Sequence, residues 1–162
     1  MATKRTKRAE RGAGISKAEA KALAEEMGKL RCKPPLIGFG LTMIGPLLLE
    51  HGSEEQKRRY VPPTIRGELV WCQGYSEPGA GSDLANVQTR ATPDGDDFVI
   101  DGQKIWTTTA HLSKMMFALV RSEAGAEKHA GLSYVLIPMD APGIEVRPLG
   151  TMTGASEFNQ VF

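Results

Sequence analysis

Apolar residues recur at helical spacing in the first third of the chain. Residues 16–19 have the form of a capping box, in which a serine hydroxyl and a glutamate carboxylate each satisfy a free backbone N–H at the start of a helix. The apolar positions that follow share one helical face: Ala20, Leu23, Met27 and Leu30. This spacing predicts a helix that ends before residue 33, with an apolar stripe that another surface must cover.

A second helical region follows. Residues 36–50 are nearly all apolar, which predicts a buried helix, broken near Pro46 and stopped by Gly52 in a left-handed conformation. The run is too short to span a membrane and contains several glycines. Residues 53–56 form another capping box, and we expect the charged helix behind it to close at Pro62 and Pro63.

From about Leu69 the pattern changes to short β-rich segments separated by turn signals. Spacings of roughly eight to twelve residues are typical of an antiparallel sandwich or barrel. Asp94-Gly95 and Asp101-Gly102 are tight-turn signals. The expected strands are Leu69–Tyr75, Asn86–Ala91, Phe98–Ile100, Lys104–Thr108, Met115–Arg121, Ser133–Pro138 and Ile144–Pro148, with a last β segment at Glu157–Phe162.

These patterns predict an α+β fold with three zones. We expect a disordered basic tail over residues 1–15, part of a helical domain over residues 16–66 and a β domain over residues 67–162. The sequence ends inside an apolar β segment, which would leave an unpaired strand edge. We therefore expect a truncated domain, either part of a longer chain or the product of a shortened reading frame.

Composition narrows the class of protein. The 162 residues carry a formal net charge of +1, which argues against a nucleic-acid-binding surface. Cys32 and Cys72 are far apart and lack metal-ligand spacing, and the three histidines are scattered, so no metal site is expected. The cysteine usage favours a reducing, cytoplasmic location. The basic tail is no secretory signal, and a mitochondrial presequence is the alternative to a solvated tail.

Two segments carry candidate chemistry. In residues 71–84 an apolar strand runs into a glycine-rich turn with hydroxyls, where backbone N–H groups can form a nest for an anion. In residues 102–108 a polar strand follows. On a regular strand Trp106 and Thr108 would share a face, as would Gly74 and Ser76. An aromatic plane beside hydroxyl donors suits a flavin ring, whose reduced form needs donors along its polar edge.

These segments resemble the flavin-facing pieces of acyl-CoA dehydrogenases. The region from Leu36 to Phe162 is similar to the end of the family's N-terminal helical domain and most of its middle β domain. The family usually has Thr where Ser76 stands, a mild departure that keeps the hydroxyl. The residues that carry the resemblance are Gly52, Glu55-Gln56-Lys57, Pro62, Gly67-Glu68, Ser76–Asp83, Gly102–Thr108 and Pro142-Gly143.

The resemblance implies a role for individual positions in binding FAD. Gln73, Tyr75 and Ser76 would lie along the pyrimidine edge of the flavin. Ser82 would bind the FAD diphosphate and border the acyl-CoA channel. Trp106, Thr107 and Thr108 would form the ring-binding strand, with the indole against the ring and the Thr108 hydroxyl towards N5.

Each of these residues also has a structural interpretation. Trp106 alone would be an ordinary core aromatic, and Ser82 alone would be a helix or turn cap. Gln73 and Tyr75 would be plain strand residues. Glu77 and Asp83 are interpreted as structural.

The resemblance further implies the reaction, the α,β-dehydrogenation of an acyl-CoA thioester with hydride transfer to flavin N5. In the family the base is a carboxylate of the C-terminal domain, so no catalytic residue is assigned here and the base is expected beyond Phe162. Glu123, Glu127 and Glu145 are not assigned to that role. The chain alone is therefore expected to be inactive.

The implied partners are the acyl-CoA substrate, an electron-transfer flavoprotein and further subunits in a homo- or hetero-oligomer. One alternative is a non-catalytic subunit that completes the site of a partner dehydrogenase. A second alternative keeps the fold with the chemistry of acyl-CoA oxidases or nitroalkane oxidases.

Overall fold

The computed structural model describes residues 15–32, 37–123, 125–126 and 128–162. The predicted basic tail lies outside these residues except for Ile15. The chain divides into two units, Met1–Pro35 and Leu36–Phe162. Within the described residues no helix is long and apolar enough to cross a membrane.

The first unit contains helix α1, Lys17–Lys29. Its predicted capping box is confirmed: the Ser16 hydroxyl accepts from the Glu19 N–H at 3.3 Å, and the Glu19 carboxylate accepts from the Ser16 N–H at 2.7 Å. No residue of α1 is buried, and the stripe residues Leu23 and Leu30 are 53% and 75% exposed. The helix therefore presents an open apolar face.

The second unit begins with a π-helix, Gly40–Ile44, that runs into helices α2, Gly45–His51, and α3, Glu54–Ile65. The predicted helical region is confirmed from Gly40 to His51, but it changes from π to α at Gly45 without the expected break near Pro46. Pro46 lies in the first turn of α2, where its missing N–H costs no hydrogen bond. Only one side of this region is buried, and Ile37 is 82% exposed.

Two predicted helix ends also differ. Gly52 has an extended backbone, with φ −69° and ψ 151°, and is not left-handed. Helix α3 continues through Pro62 and Pro63 to Ile65. A proline lacks an N–H but keeps its carbonyl, and here Pro62 O accepts from Arg66 N and Pro63 O accepts from Glu68 N. The two carbonyls thus complete the last turn of the helix.

The strands form one five-stranded and one three-stranded sheet within the described residues, rather than a closed barrel. The α+β class is confirmed. The strands are β1 Trp71–Gly74, β2 Arg90–Asp94, β3 Asp97–Asp101, β4 Lys104–Thr108, β5 Met115–Arg121, β6 Leu132–Pro138, β7 Val146–Leu149 and β8 Phe158–Val161. The first sheet runs β1-β5-β2-β3, with β6 on the far side of β5, and the second runs β4-β8-β7.

The expected antiparallel pairing holds for most strand pairs, but β1 and β5 run parallel from Trp71↔Met115 to Gly74↔Ala118. Turn signals identify hairpins between consecutive strands, such as β2–β3 at Gly95, but they do not report pairings between distant strands. The Asp101-Gly102 turn is of a different kind. It carries the chain from β3 in the first sheet to β4 in the second.

Strand β5 lies in the middle of the core. Met115 and Phe117 pack with Ile44, Leu48 and Trp71 in a cluster on the helical side. The alternate residues of β5 pack in a second cluster with residues of the other sheet; they are Met116, Ala118 and Val120. Burial on both faces explains the unbroken apolar run of this strand. Strand β1 pairs with it from Trp71 to Gly74, which fixes the start of the glycine-rich turn.

Candidate functional site

The two segments that carry candidate chemistry are neighbours in the structure. Ile105 N donates to Ser76 O at 2.9 Å, where the chain leaves β1 and passes beside β4. Ser76 is half-buried. The hydroxyl-bearing turn and the strand of Trp106 therefore meet edge to edge.

The glycine-rich turn is closed by a pair of backbone hydrogen bonds. Glu77 N donates to Ala80 O at 2.8 Å and Ala80 N donates to Glu77 O at 3.1 Å. A Cβ on Gly79 or Gly81 would meet no atom within 4 Å, so both glycines face open space. Ser82 follows in an exposed bend. A ligand could thus approach this backbone closely, as a diphosphate-binding turn requires.

A buried ion pair holds the turn against β4. Lys104 Nζ lies 2.8 Å from Glu77 Oε1, and both side chains are 5% exposed. The glutamate also accepts from Gln88 N at 2.6 Å and from Thr89 N at 2.9 Å. Burial by itself raises the pKa of Glu77, but the Lys104 hydrogen bond and the backbone donors outweigh it and lower the pKa. The carboxylate is therefore held in its ionised form.

Strand β4 is irregular at the residue predicted to flank the flavin. Its pairing with β8 shifts register between Lys104 and Thr107, and Trp106 has a left-handed backbone with φ 59°. The regular alternation of side chains between the two faces of a strand therefore does not hold at Trp106. Trp106 is 59% exposed, and its ring lies at 82° to that of Phe158 with a centroid distance of 6.0 Å. The bulge turns a large indole outwards.

The two threonines after the bulge lie at different depths. Thr107 is 1% exposed, and its Oγ1 is buried without a hydrogen-bond partner. Thr108 is half-buried and pairs with Phe158 across to β8. Thr108 and Thr109 line a cavity of about 400 Å³.

Gln73 and Tyr75, the residues predicted to lie along the flavin edge near the end of β1, already make contacts within the protein. The Gln73 side chain donates to Met43 Sδ of the π-helix at 3.4 Å. Tyr75 packs edge-on against Phe117 and Tyr134, with centroid distances of 5.9 and 6.3 Å. Burial, with a further contribution from Tyr75, raises the pKa of Tyr134, so that phenol stays neutral.

Gly74 belongs to the packing of the sheet. A Cβ there would collide with the Met116 side chain of β5 and lie 3.1 Å from the Ala118 Cβ. We therefore attribute this glycine to the close approach of β1 and β5, and not to a ligand.

The cavity beside Thr108 lies between the helical layer and strands β1 and β4. Its wall is mostly apolar and contains no carboxylate among the described residues. The π-helix contributes part of the wall, and Trp71 closes another part. The lining residues are Ile37–Thr42, Thr64, Gly67, Leu69–Trp71, Thr108 and Thr109.

Sequence reasoning missed several residues that hold the site together. Lys104 lies within the second motif, but the motif gives it no role. Arg121 donates to the carbonyls of Ala85 at 2.7 Å and Val87 at 3.1 Å, which fixes the chain after Ser82. Asn159, fully buried, donates to Thr107 O at 2.9 Å and contacts His111 Nδ1 at 3.0 Å. A charged residue inside an otherwise β-forming segment is the one signal that could have identified Lys104 and Arg121.

The part of the chain that the structure describes gives little support for a metal site or a nucleophilic cysteine. No group of three or more acidic, histidine or cysteine residues there could hold a metal ion. Both cysteines are free, and burial raises the pKa of the Cys72 thiol to about 11. That thiol is therefore a packing group rather than a nucleophile.

The residues fit a flat aromatic ligand with an anionic tail. An exposed indole, a half-buried threonine beside an apolar cavity and an open glycine turn with a serine lie on two segments that the hydrogen bond from Ile105 N to Ser76 O joins. These are the donors and surfaces that a flavin dinucleotide needs.

The chain belongs to the acyl-CoA dehydrogenase family. Residues 72–161 match the model of the acyl-CoA dehydrogenase middle domain, and residues 6–68 match that of the N-terminal domain. The two predicted motifs both lie within or at the edge of the middle-domain match.

Individual relatives are similar over nearly the whole chain. The acyl-CoA dehydrogenase IpdE1 of Mycobacterium tuberculosis is 49% identical over 151 residues, which are 93% of this chain and 39% of that protein. The solved structure of the Tcur3481-Tcur3483 steroid ACAD G363A variant has a TM-score of 0.80 at 38% identity, covering 94% of this chain and 40% of that one.

A second solved structure, the ChsE4-ChsE5 complex from Mycobacterium tuberculosis, has a TM-score of 0.77 at 34% identity. The match covers 93% of this chain and 39% of that one. The chain thus spans about two fifths of the length of the relatives it matches.

Proposed function

We propose that this chain forms the flavin-facing part of an FAD-dependent acyl-CoA dehydrogenase. The observation that carries the proposal is the hydrogen bond between Ile105 N and Ser76 O, which joins the two motifs into one surface. When bound there, FAD would supply the acceptor for the hydride that leaves the β-carbon of the acyl thioester while a carboxylate removes the α-proton.

The residues of the chain would divide the binding of FAD between them. Trp106 would cover one flank of the ring, because its indole is already exposed by the bulge. The hydroxyls of Ser76 and Thr108 would donate to the polar edge, with Gln73, Tyr75 and Thr107 beside them. Ser82 and the open backbone at Gly79 and Gly81 would hold the diphosphate.

We propose that the acyl group enters the cavity beside Thr108. A volume of about 400 Å³ with mostly apolar walls suits a bulky acyl group, and cavities of roughly this size hold drug-sized ligands. The similarity to a protein described as a steroid ACAD supports a polycyclic acyl-CoA as the substrate class. Ser82 would border the channel for the CoA part.

We further propose that the base is supplied by residues outside these 162. The described lining of the cavity contains no carboxylate. The Glu77 carboxylate already forms an ion pair with Lys104 and accepts two backbone hydrogen bonds. The chain with FAD alone should then fail to oxidise acyl-CoA. Anaerobic incubation with FAD and a series of acyl-CoAs tests this, and bleaching of the flavin absorption would contradict it.

FAD titration of the chain, followed by quenching of flavin fluorescence, tests the binding site. We expect weak but saturable binding, and about tenfold weaker binding for Ser76→Ala and for Thr108→Val, since each removes one hydrogen bond to the flavin. Thr92→Val, an exposed threonine of β2, is the matched control and should bind like the unmodified chain. Equal affinity in all four proteins would contradict the proposed site.

A second candidate function is a subunit that completes the site of a partner dehydrogenase. The ChsE4-ChsE5 structure is a complex of two proteins, and α1 presents an open apolar stripe. Co-expression with a dehydrogenase subunit encoded nearby should give co-purification. Leu23→Glu should abolish that association without changing the helix content, and Lys21→Glu, an exposed position of the same helix, is the control.

A further inference from the structure

We propose that Glu77 and Lys104 are positioning residues that set the spacing between the turn of Ser76 and the strand of Trp106. The proposal rests on the proposed FAD site and assigns the two residues a part in building it. They would act on the flavin through the backbone segments that they hold.

The three hydrogen bonds of Lys104 reach two parts of the chain, residues 75–77 and strand β5. Its Nζ donates to Glu77 Oε1 in the turn at 2.8 Å, to Tyr75 O after β1 at 3.3 Å, and to Leu119 O of β5 at 2.6 Å. The ammonium thus uses all three of its donors. One side chain thus ties β4 both to β5 and to the segment that precedes the predicted diphosphate contact.

Glu77 extends the same connection on the other side of the turn. Its two oxygens accept from the backbone of Gln88 and Thr89, the residues that lead into β2. Apart from the ion pair itself, these bonds of the two side chains go to backbone atoms. The pair therefore fixes the path of the main chain, which is what a ligand bound between two segments senses.

A buried ion pair of this kind adds little to the free energy of unfolding, so we assign it to fixing the position of the main chain. Removing two charges from water costs about as much as their attraction returns, so replacing both by neutral groups often leaves stability unchanged. Besides this pair, the hydrogen bond from Ile105 N to Ser76 O joins the two segments. Neutralising the pair should therefore loosen their spacing before it unfolds the domain.

The experiment compares the full chain with Glu77→Gln/Lys104→Met. Two measurements are made besides urea unfolding: hydrogen exchange of the Ile105 amide by NMR, and FAD titration. We expect the double variant to stay folded with a lower urea midpoint, because Tyr75 O and Leu119 O lose a donor. Ile105 should exchange at least about tenfold faster than this change in global stability accounts for, and FAD should bind about tenfold more weakly. Lys104→Arg, which keeps the charge and the donors, should recover part of both effects.

The control is Glu145→Gln/Arg147→Gln, which removes an exposed ion pair of 2.7 Å at strand β7. It should change neither the Ile105 exchange nor the FAD affinity. If the double variant at Glu77 and Lys104 does not fold, Glu77→Gln alone is used, and its Ile105 amide must still exchange faster than in the unmodified chain.

The outcomes separate this inference from the proposed function. A folded variant with unchanged Ile105 exchange overturns the positioning role, whatever FAD does. An unmodified chain that shows no saturable FAD binding, together with faster Ile105 exchange in the variant, overturns the FAD site while the two residues still hold the segments together. Faster exchange with unchanged FAD affinity overturns the positioning of the flavin by this pair.

Discussion

Trp106 has a backbone conformation that β-forming and aromatic residues seldom adopt. Its φ of 59° lies in the left-handed region, which costs an L-residue about 1–2 kcal/mol. Strain of this size persists where the surrounding structure imposes it, and such residues cluster at ligand sites. Here the surroundings are the pairing of β4 with β8 on both sides of the bulge.

The strain can be measured by comparing Trp106→Gly with Trp106→Ala. Both lose the same contact with Phe158, but only glycine adopts the left-handed conformation without cost. We expect the glycine variant to be the more stable of the two by about 1 kcal/mol in urea unfolding, and both to lose most of the FAD affinity. A less stable glycine variant would show that the bulge does not survive the substitution.

At the scale of elements, one buried hydrogen bond joins α3 to β1. Trp71 Nε1 donates to Thr64 Oγ1 at 2.9 Å, and that hydroxyl donates to Tyr60 O at 2.7 Å. Gly40 of the π-helix packs against the same point, since a Cβ there would lie 2.7 Å from Thr64 Cγ2. Three elements that surround the cavity beside Thr108 thus depend on one threonine.

Thr64→Val keeps the shape of this side chain and removes its hydroxyl. The buried indole N–H would then have no acceptor, which should lower the free energy of unfolding by about 1–3 kcal/mol. Urea unfolding followed by tryptophan fluorescence measures the loss. The exposed substitution Thr92→Val should change stability by less than about 0.5 kcal/mol, and an equal loss in both variants would contradict the assigned role.

The ion pair between the turn and β4 makes part of the stability depend on pH. Because the pKa of Glu77 in the folded chain lies below its usual 4.5, the ionised form favours folding. This contribution is fully present above about pH 4.5 and is lost as the pH falls through the lower, folded-state pKa.

The free energy of unfolding should therefore fall less steeply below about pH 4.5 in Glu77→Gln/Lys104→Met than in the unmodified chain. Urea unfolding at a series of pH values measures both slopes. The difference should persist at high salt, since buried charges are screened little. Identical slopes would mean that Glu77 titrates at its usual pKa.

At the scale of the whole molecule, local patterns predicted the elements well and their arrangement less well. The bounds of β4 and β5 were predicted to the residue, because turn signals and β-branched or aromatic residues mark them in the sequence. The parallel pairing of β1 with β5 could not be predicted, since no local signal encodes a partner more than forty residues away. The α+β class followed from the change of pattern near Leu69, and the family followed from two long motifs.

For the candidate site, too, the sequence predicted the segments but not their detailed geometry. The motifs predicted which segments would meet, and the bond from Ile105 to Ser76 joins them. They did not predict the bulge at Trp106, which depends on the register with β8, nor the role of Gly74 in sheet packing. The ligand contacts of the seven predicted site residues stay predictions until FAD binding is measured.

The late pairing of β4 has a consequence for the biosynthesis of the protein. Among the described strands Lys104–Thr108 pairs with β8 alone, so this strand has no neighbour in its sheet until Phe158–Val161 has been made. During translation the edge of β4 that later pairs with β8 thus stays open while the first sheet can already assemble. Such an edge is a target for chaperones and for aggregation, so premature termination between β7 and β8 should give an insoluble product.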